Sequence, residues 1–318
     1  MSSPGAPGLR RFRGCERAHC LAPFVIKFLT KVAGFPLISR DFRPGRGFPN
    51  RTENLRKANT YNYLGLVREL TFTDFKLKYQ GSFFGYLWSL GKPLMIFGVL
   101  LVVFTNFLKL GNSVPNYPVY LLLGIVLWTY FVEATFSSMG SIVSKGELIR
   151  KVYFPRIILP ISSSVTALLT LGLNLIIVFL FMFFSKISLS VEAPLVVLLL
   201  LEFFVFTAGV SLFLASLFVR FRDVLHTWEV GTQALFYATP ILYPLNLVPE
   251  KWGMVLMLSP IAQIIQDCRH VLITPESQTA MEILPFPLSL VPYLLPILLF
   301  ATGYWFFQKQ ASKFAEEI

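Results

Sequence analysis

Charge is what this sequence has least of. Only 14% of its 318 residues are Asp, Glu, Lys or Arg, against 55% hydrophobic, and the mean hydropathy is +0.64. Such a chain cannot cover a water-soluble core with polar surface, so it reads as a polytopic membrane protein. Cysteine is scarce as well, and three residues give no disulfide framework. Cys15, His19 and Cys20 lie close together, but two thiols and one imidazole fall short of a zinc shell, so no metal site is expected. Catalytic constellations are missing: there is no carboxylate pair suited to a soluble pocket and no Ser/His/Asp set. The nearest approach to a phosphate-cradling loop is Gly85–Lys92, GYLWSLGK. Its glycines are one position too far apart, and Pro93 stands where Ser or Thr would bind magnesium. The chain is therefore not expected to be an enzyme, nor to hydrolyse ATP by that route.

The charge that is present is uneven. Of a net +11, residues 1–85 carry most, with fifteen Lys and Arg against five Asp and Glu. The remainder is nearly neutral, which excludes a nucleic-acid-binding core and fits contact with anionic lipid. Residues 1–58 form a Gly-, Pro- and Arg-rich extension with little periodicity, expected to be poorly ordered. Within it Leu21–Ser39 is apolar but broken by Pro23, Lys27, Lys31 and Pro36; it is too short and too charged to span, and it has no cleavage signal. Residues 59–85 contain a helical pattern from Tyr63 to Gln80, with Leu66, Val67, Leu70 and Leu77 on one face and Asp74 intruding. That pattern predicts an amphipathic helix lying in the membrane interface.

Residues 86–318 read as six spans: Tyr86–Leu108, Tyr117–Met139, Ile157–Phe184, Pro194–Val219, Glu229–Leu247 and Leu288–Phe307. Twenty-three Lys and Arg fall on one side of this arrangement and four on the other, which places both termini in the cytoplasm. The last outer loop, Val248–Pro287, holds an apolar piece, Met254–Ile265, broken at Ser259-Pro260. It is too short for a seventh span and reads as re-entrant or interfacial.

The rest is organised around Ser141–Pro160, SIVSKGELIRKVYFPRIILP, a short loop carrying Lys145, Arg150, Lys151 and Arg156. Ile142, Val143, Leu148, Ile149 and Val152 recur there at helical spacing, predicting an amphipathic helix from Ile142 to Tyr153 whose apolar stripe suits a cytosolic partner. Inside the spans, Glu133 and Glu202 are expensive in hydrocarbon and so are candidate functional groups. Tyr117, Tyr243 and Trp252 suit the interface, whereas Trp128 and Tyr130 fall near mid-span. Tyr130 and Glu133 share a helix face. The reading places both on a solute path, with Trp128 turned towards a neighbouring helix.

Several of these segments carry a resemblance. KYQGSFFGYLWSLGKPL (Lys78–Leu94), YPVYLLLGIVLWTYFVEA (Tyr117–Ala134), LIRKVYFPRIILP (Leu148–Pro160), FRDV (Phe221–Val224), TPILYPLNLVPE (Thr239–Glu250) and the C-terminal KFAEEI resemble polysaccharide-exporting ABC permeases, in the same order. Ser259-Pro260 departs from the Asn-Pro common in that family, and residues 1–58 have no counterpart in it. The resemblance implies an all-α fold of six transmembrane helices, an N-terminal interface helix and two re-entrant helices in the last outer loop. It implies a homodimer in the bacterial cytoplasmic membrane around a channel for a lipid-linked glycan such as O-antigen or teichoic acid. ATP and magnesium would be bound by two separate ATPase subunits and no cofactor by this chain. Ile142, Val143, Leu148, Ile149, Arg150, Lys151, Val152 and Tyr153 would then form the coupling helix, and Phe221, Arg222 and Asp223 a cytoplasmic loop motif. Two other classes stay open: a secondary transporter, which should show an internal repeat, and a membrane-embedded glycosyltransferase, which should cluster its acids.

Overall fold

A computed structural model describes residues 63–80, 85–109, 115–151, 154–188, 190, 192–311 and 314. The expected N-terminal extension, with Cys15, His19 and Cys20, lies outside the described residues, as do Val152, Tyr153 and most of KFAEEI. The described chain is helical throughout, with no strand among the described residues. Its elements are α1 (Tyr63–Tyr79), α2 (Tyr86–Val102, continued by a π-helical turn Val103–Phe107), α3 (Tyr117–Ser144), α4 (Gly146–Lys151), α5 (Ile158–Phe184) and α6 (Leu195–Arg220). They continue with α7 (Val224–Ala238), α8 (Glu250–Met257), α9 (Pro260–Leu272), α10 (Ala280–Ile283) and α11 (Val291–Ala311).

Five helices are long and apolar enough to cross a membrane: Leu87–Phe107, Tyr117–Ser144, Ile158–Phe184, Leu195–Arg220 and Leu288–Ala311. The expected span Glu229–Leu247 is different. Its helix starts earlier, at Val224, and stops at Ala238 after 15 residues, about 22 Å at 1.5 Å per residue, which is short of a ~30 Å hydrocarbon core. Pro240 is the reason: it has no N–H to donate and its ring clashes with the preceding turn, so the chain leaves the helix at Thr239.

Helix α3 is the central element. It buries 78% of its most apolar window, whereas α2 buries 11%. Pro118 sits in its first turn, where a missing N–H costs nothing. Helices α5 and α6 pack against α3, α1 packs across α5, and α11 packs along α6. Small and hydroxylated residues set these contacts. The Ser138 hydroxyl donates to the Pro160 carbonyl at 3.0 Å and lies 3.0 Å from Ser164 Oγ, joining α3 to α5 through fully buried groups. In lipid, close backbone approach and interhelical hydrogen bonds replace the hydrophobic effect as the cement. Gly209 of α6 and Gly303 of α11 bring their two helices into direct backbone contact.

The helices alternate in direction, so the ends of α3, α6 and α11 meet. Ile142, Leu212, Val219, Phe307 and Phe314 form one cluster there. Lys145, Arg150, Lys151, Arg220, Arg222 and Lys309 therefore share one end of the bundle, as the charge pattern requires. At that end α1 packs Leu66, Val67 and Leu70 over Phe154, Ile158 and Leu159, and further along α5 it buries Phe75 and Tyr79, the latter against Thr170. Asp74, the acid intruding on its apolar face, is ion-paired with Lys145.

Candidate functional site

Glu133 sits inside the long α3, yet its side chain is not alone. It is ion-paired with Lys78 at the end of α1, and the ammonium also reaches Thr170 Oγ1 on α5 at 3.5 Å. The pair lies in the wall of a cavity of about 590 Å³ whose lining includes Trp88, Ser89, Lys92, Trp128, Thr129 and Phe136. Two indoles, two ammonium groups, a carboxylate and hydroxyls thus converge between α1, α2 and α3. This is the chemistry of an amphipathic solute with polar edges and apolar ring faces rather than of a hydrocarbon tail.

Tyr130 and Glu133, placed together on the solute path by the sequence, point to different neighbours. Tyr130 is 3% exposed and packs edge-on against Phe203 of α6, with ring centroids 5.1 Å apart. Trp128, the residue turned away in the sequence reading, shares the cavity wall with Glu133 while its ring also touches Phe131 and Phe236. The 60° between Tyr130 and Glu133 on a helix is enough for a tightly enclosed α3 to send one towards α6 and the other towards α2. Indole is long enough to reach the cavity from the far side.

Helix α7 adds a second polar surface. One face docks on α3: Trp228 Nε1 donates to Thr135 Oγ1 at 3.1 Å, Thr232 is buried, and Phe236 lies against Trp128. The other face exposes His226, Glu229, Gln233 and Tyr237, spaced at three and four residues and so forming one stripe. No lipid-facing helix gains from such a stripe.

At the basic end, the expected helix Ile142–Tyr153 is two pieces. Ile142 and Val143 belong to the last turns of α3, and Ile142 is fully buried. Lys145 breaks the helix with φ −108° and ψ 24°, just before Gly146, and its ammonium is ion-paired with Asp74. In α4, Leu148 and Ile149 are half-buried against the chain's own Phe154, Ile158 and Leu159. Glu147, Arg150 and Lys151 are exposed, with Lys151 bonded to Glu147 at 3.1 Å. Phe221, Arg222 and Asp223 form an exposed turn between α6 and α7, where the Arg222 guanidinium lies 5.0 Å from the Phe218 ring.

Sequence reasoning missed Arg269. Counted as an outer-loop charge, it is completely buried in α9. Its guanidinium donates to the carbonyls of Tyr120 (3.2 Å), Pro240 (2.6 Å) and Ile241 (2.8 Å), and lies 3.5 Å from the Tyr120 ring centroid. The carbonyls freed where α7 stops are thereby satisfied, the condition for irregular backbone inside a membrane protein. Gly124 makes room: a Cβ there would lie 2.5 Å from Arg269 Nη2. The one available signal was the amphipathic pattern of Pro260–Leu272, which sets Arg269 among Gln263, Gln266 and Asp267 as well as isoleucines. Nearby, Gln263 bonds Asp267 at 2.8 Å and Tyr293 bonds the same carboxylate oxygen at 2.7 Å. Burial raises the Asp267 carboxyl above its usual range, against those two hydrogen bonds, which hold it down. The Asp267 carboxylate thus ties α9 to α11.

Residues 66–273, well over half the chain, match the family described as ABC-2 type transporter. The chain belongs to that family. It is similar to an O-antigen export system permease protein RfbA of Klebsiella pneumoniae, 29% identical over 264 residues that cover 82% of this chain and 97% of the relative. A protein of the same description from Myxococcus xanthus is 29% identical over 263 residues, covering 81% and 97%. With its five long apolar helices, this ABC-2 type transporter is a multi-pass membrane protein and a transport subunit.

Proposed function

We propose that the chain is the channel-forming permease subunit of an ABC exporter that carries a lipid-linked polysaccharide, O-antigen or a similar glycan, across the bacterial cytoplasmic membrane. The likeness to O-antigen permeases over nearly their whole length supports the substrate class. The observation that carries the mechanism is the polar surface formed by the Lys78–Glu133 cavity and the exposed stripe of α7. Both open outwards from one chain, so a path walled by them needs a second copy, which argues for a homodimer. The stripe offers hydroxyl, amide and carboxylate partners to sugar hydroxyls, and the indoles offer ring faces to sugar C–H surfaces. In this reading α7 with Thr239–Leu247 makes a sixth crossing, α1 lies in the interface, α8 and α9 are re-entrant, and both termini are cytoplasmic.

Two ATP-binding subunits, which hold ATP and magnesium, would dock at the basic end on α4 and the Phe221–Asp223 turn. The exposed groups there are charged, so the contact would depend on charge more than on the half-buried Leu148 and Ile149. Replacing both Arg150 and Lys151 with Glu is expected to lower export about tenfold or more, the equivalent of roughly 1.4 kcal/mol of lost contact, at unchanged membrane abundance. Co-purification of the ATPase chain at wild-type ratio together with normal export would refute that docking site.

The path itself is tested with single cysteines at Glu133, Gln233 and Tyr237, probed by a membrane-impermeant thiol reagent during transport. Labelling that is slowed by the glycan substrate is expected at all three, and labelling at Val197, an exposed apolar residue of α6, is not. Glu133→Ala is expected to cut export about tenfold, since it leaves the Lys78 ammonium without its carboxylate. Full export by Glu133→Ala, with no labelling on α7, would remove both elements from the path.

A further inference from the structure

At the end of α3 opposite the basic end lies a second pocket, of about 330 Å³, at the lower end of the usual range for small-molecule sites. Its floor is built from buried side chains: Tyr120 of α3, Gln266 of α9 and Thr274 just beyond α9. Its rim carries Asn246, Glu276 and Gln278, all exposed. The floor is rigid. The Tyr120 ring rests on the Arg269 guanidinium, which is itself fixed by three carbonyls, and the tyrosine hydroxyl faces Gln266 Oε1 at 3.5 Å.

The lining is chemically selective. Two side-chain amides on the rim, one on the floor and the hydroxyls of Tyr120, Thr274 and Ser277 both donate and accept, the requirement for binding sugar hydroxyls, which do the same. Among the described residues of the lining the one ionised group is Glu276, and there is no Lys or Arg. A phosphate or an acidic sugar would face like charge with no cation to offset it. The Arg269 guanidinium cannot serve, because its N–H groups are directed at backbone carbonyls.

We propose that this pocket is a subsite for a single neutral sugar residue at the outer end of the path, engaging the exported glycan and not the phosphate of its lipid carrier. The proposal rests on the export reading above and adds a contact point that neither the cavity at Glu133 nor the stripe of α7 supplies. Its location, a membrane thickness away from α4, is where the emerging chain is handed over.

The test is saturation-transfer difference NMR on the full transporter in detergent, with a panel of neutral hexoses, deoxyhexoses and N-acetylhexosamines as probes and inorganic phosphate as competitor. Transfer to at least one neutral sugar is expected, unaffected by phosphate. It should weaken about tenfold in the double variant Glu276→Ala, Gln278→Ala, whose side chains are exposed and whose loss leaves the fold intact. Asn246→Ala provides a second rim variant with the same expectation. Transfer to none of the sugars, equal transfer in the rim variants, or displacement by phosphate would overturn the subsite. Any of those results with normal glycan export in cells sinks the subsite alone. Export unaffected by loss of the whole chain sinks the export reading instead.

Discussion

Arg269→Leu is expected to abolish the folded transporter at growth temperature. The substitution strands the carbonyls of Pro240 and Ile241, which lie outside any helix, and removes a second, charged donor from the Tyr120 carbonyl, which keeps its partner within α3. An orphaned buried polar group costs about 1–3 kcal/mol, so two of them reach the lower part of the ~5–15 kcal/mol total stability of a typical domain. Lysine is no remedy: its single ammonium cannot span carbonyls on two elements as the planar fork does. The measurement is membrane abundance together with the thermal unfolding midpoint in detergent. A midpoint within about 3 °C of wild type, roughly 1 kcal/mol for a chain of this size, would show that the clamp is dispensable. Gly124→Ala gives an independent check, because its Cβ would crowd the guanidinium at 2.5 Å. It should lower abundance and midpoint in the same direction as Arg269→Leu, whereas Gly140→Ala, whose Cβ meets nothing within 4 Å in the same helix, should not.

Gly303→Leu is the second large effect. A Cβ at Gly303 would overlap the carbonyl oxygen of Gly209, and one at Gly209 would lie 2.6 Å from the Phe300 Cα, so both meet backbone that cannot swing aside. Helices α6 and α11 must separate, opening the cluster of Leu212, Val219 and Phe307 and loosening the end where α3 finishes. Overpacking commonly costs about 1–3 kcal/mol even where side chains adjust, and a backbone clash exceeds that range. Gly209→Ala should be milder but in the same direction. Ala301→Leu, two residues from Gly303 and exposed, should be tolerated. Size-exclusion profile and abundance in the membrane decide the matter, and a monodisperse, export-competent Gly303→Leu protein would disprove the close crossing.

Much was legible in the sequence because membranes make local composition decisive. Five of the six expected spans coincide with long helices to within a few residues at most ends, since about twenty apolar residues can do little else in a bilayer. The break at Ser259-Pro260 became the junction of α8 and α9, and the basic residues gathered at one end because successive helices must alternate. The expected span Glu229–Leu247 is helical only as far as Ala238, because an apolar run hid Pro240: hydropathy counts side chains and does not see a missing N–H. That Asp74 would find Lys145, and Lys78 would find Glu133, depended on α1 folding back across α5, which no window of sequence contains. Helical periodicity put Tyr130 and Glu133 on one face, but α3 is enclosed on nearly every side, so the neighbouring helix, not the angle, chose each direction. Arg269 is the clearest case. By itself an arginine after a stretch of isoleucines is a loop charge. Only the tertiary structure, by stopping α7 at Pro240 and bringing its bare carbonyls within 3 Å, made it a buried clamp.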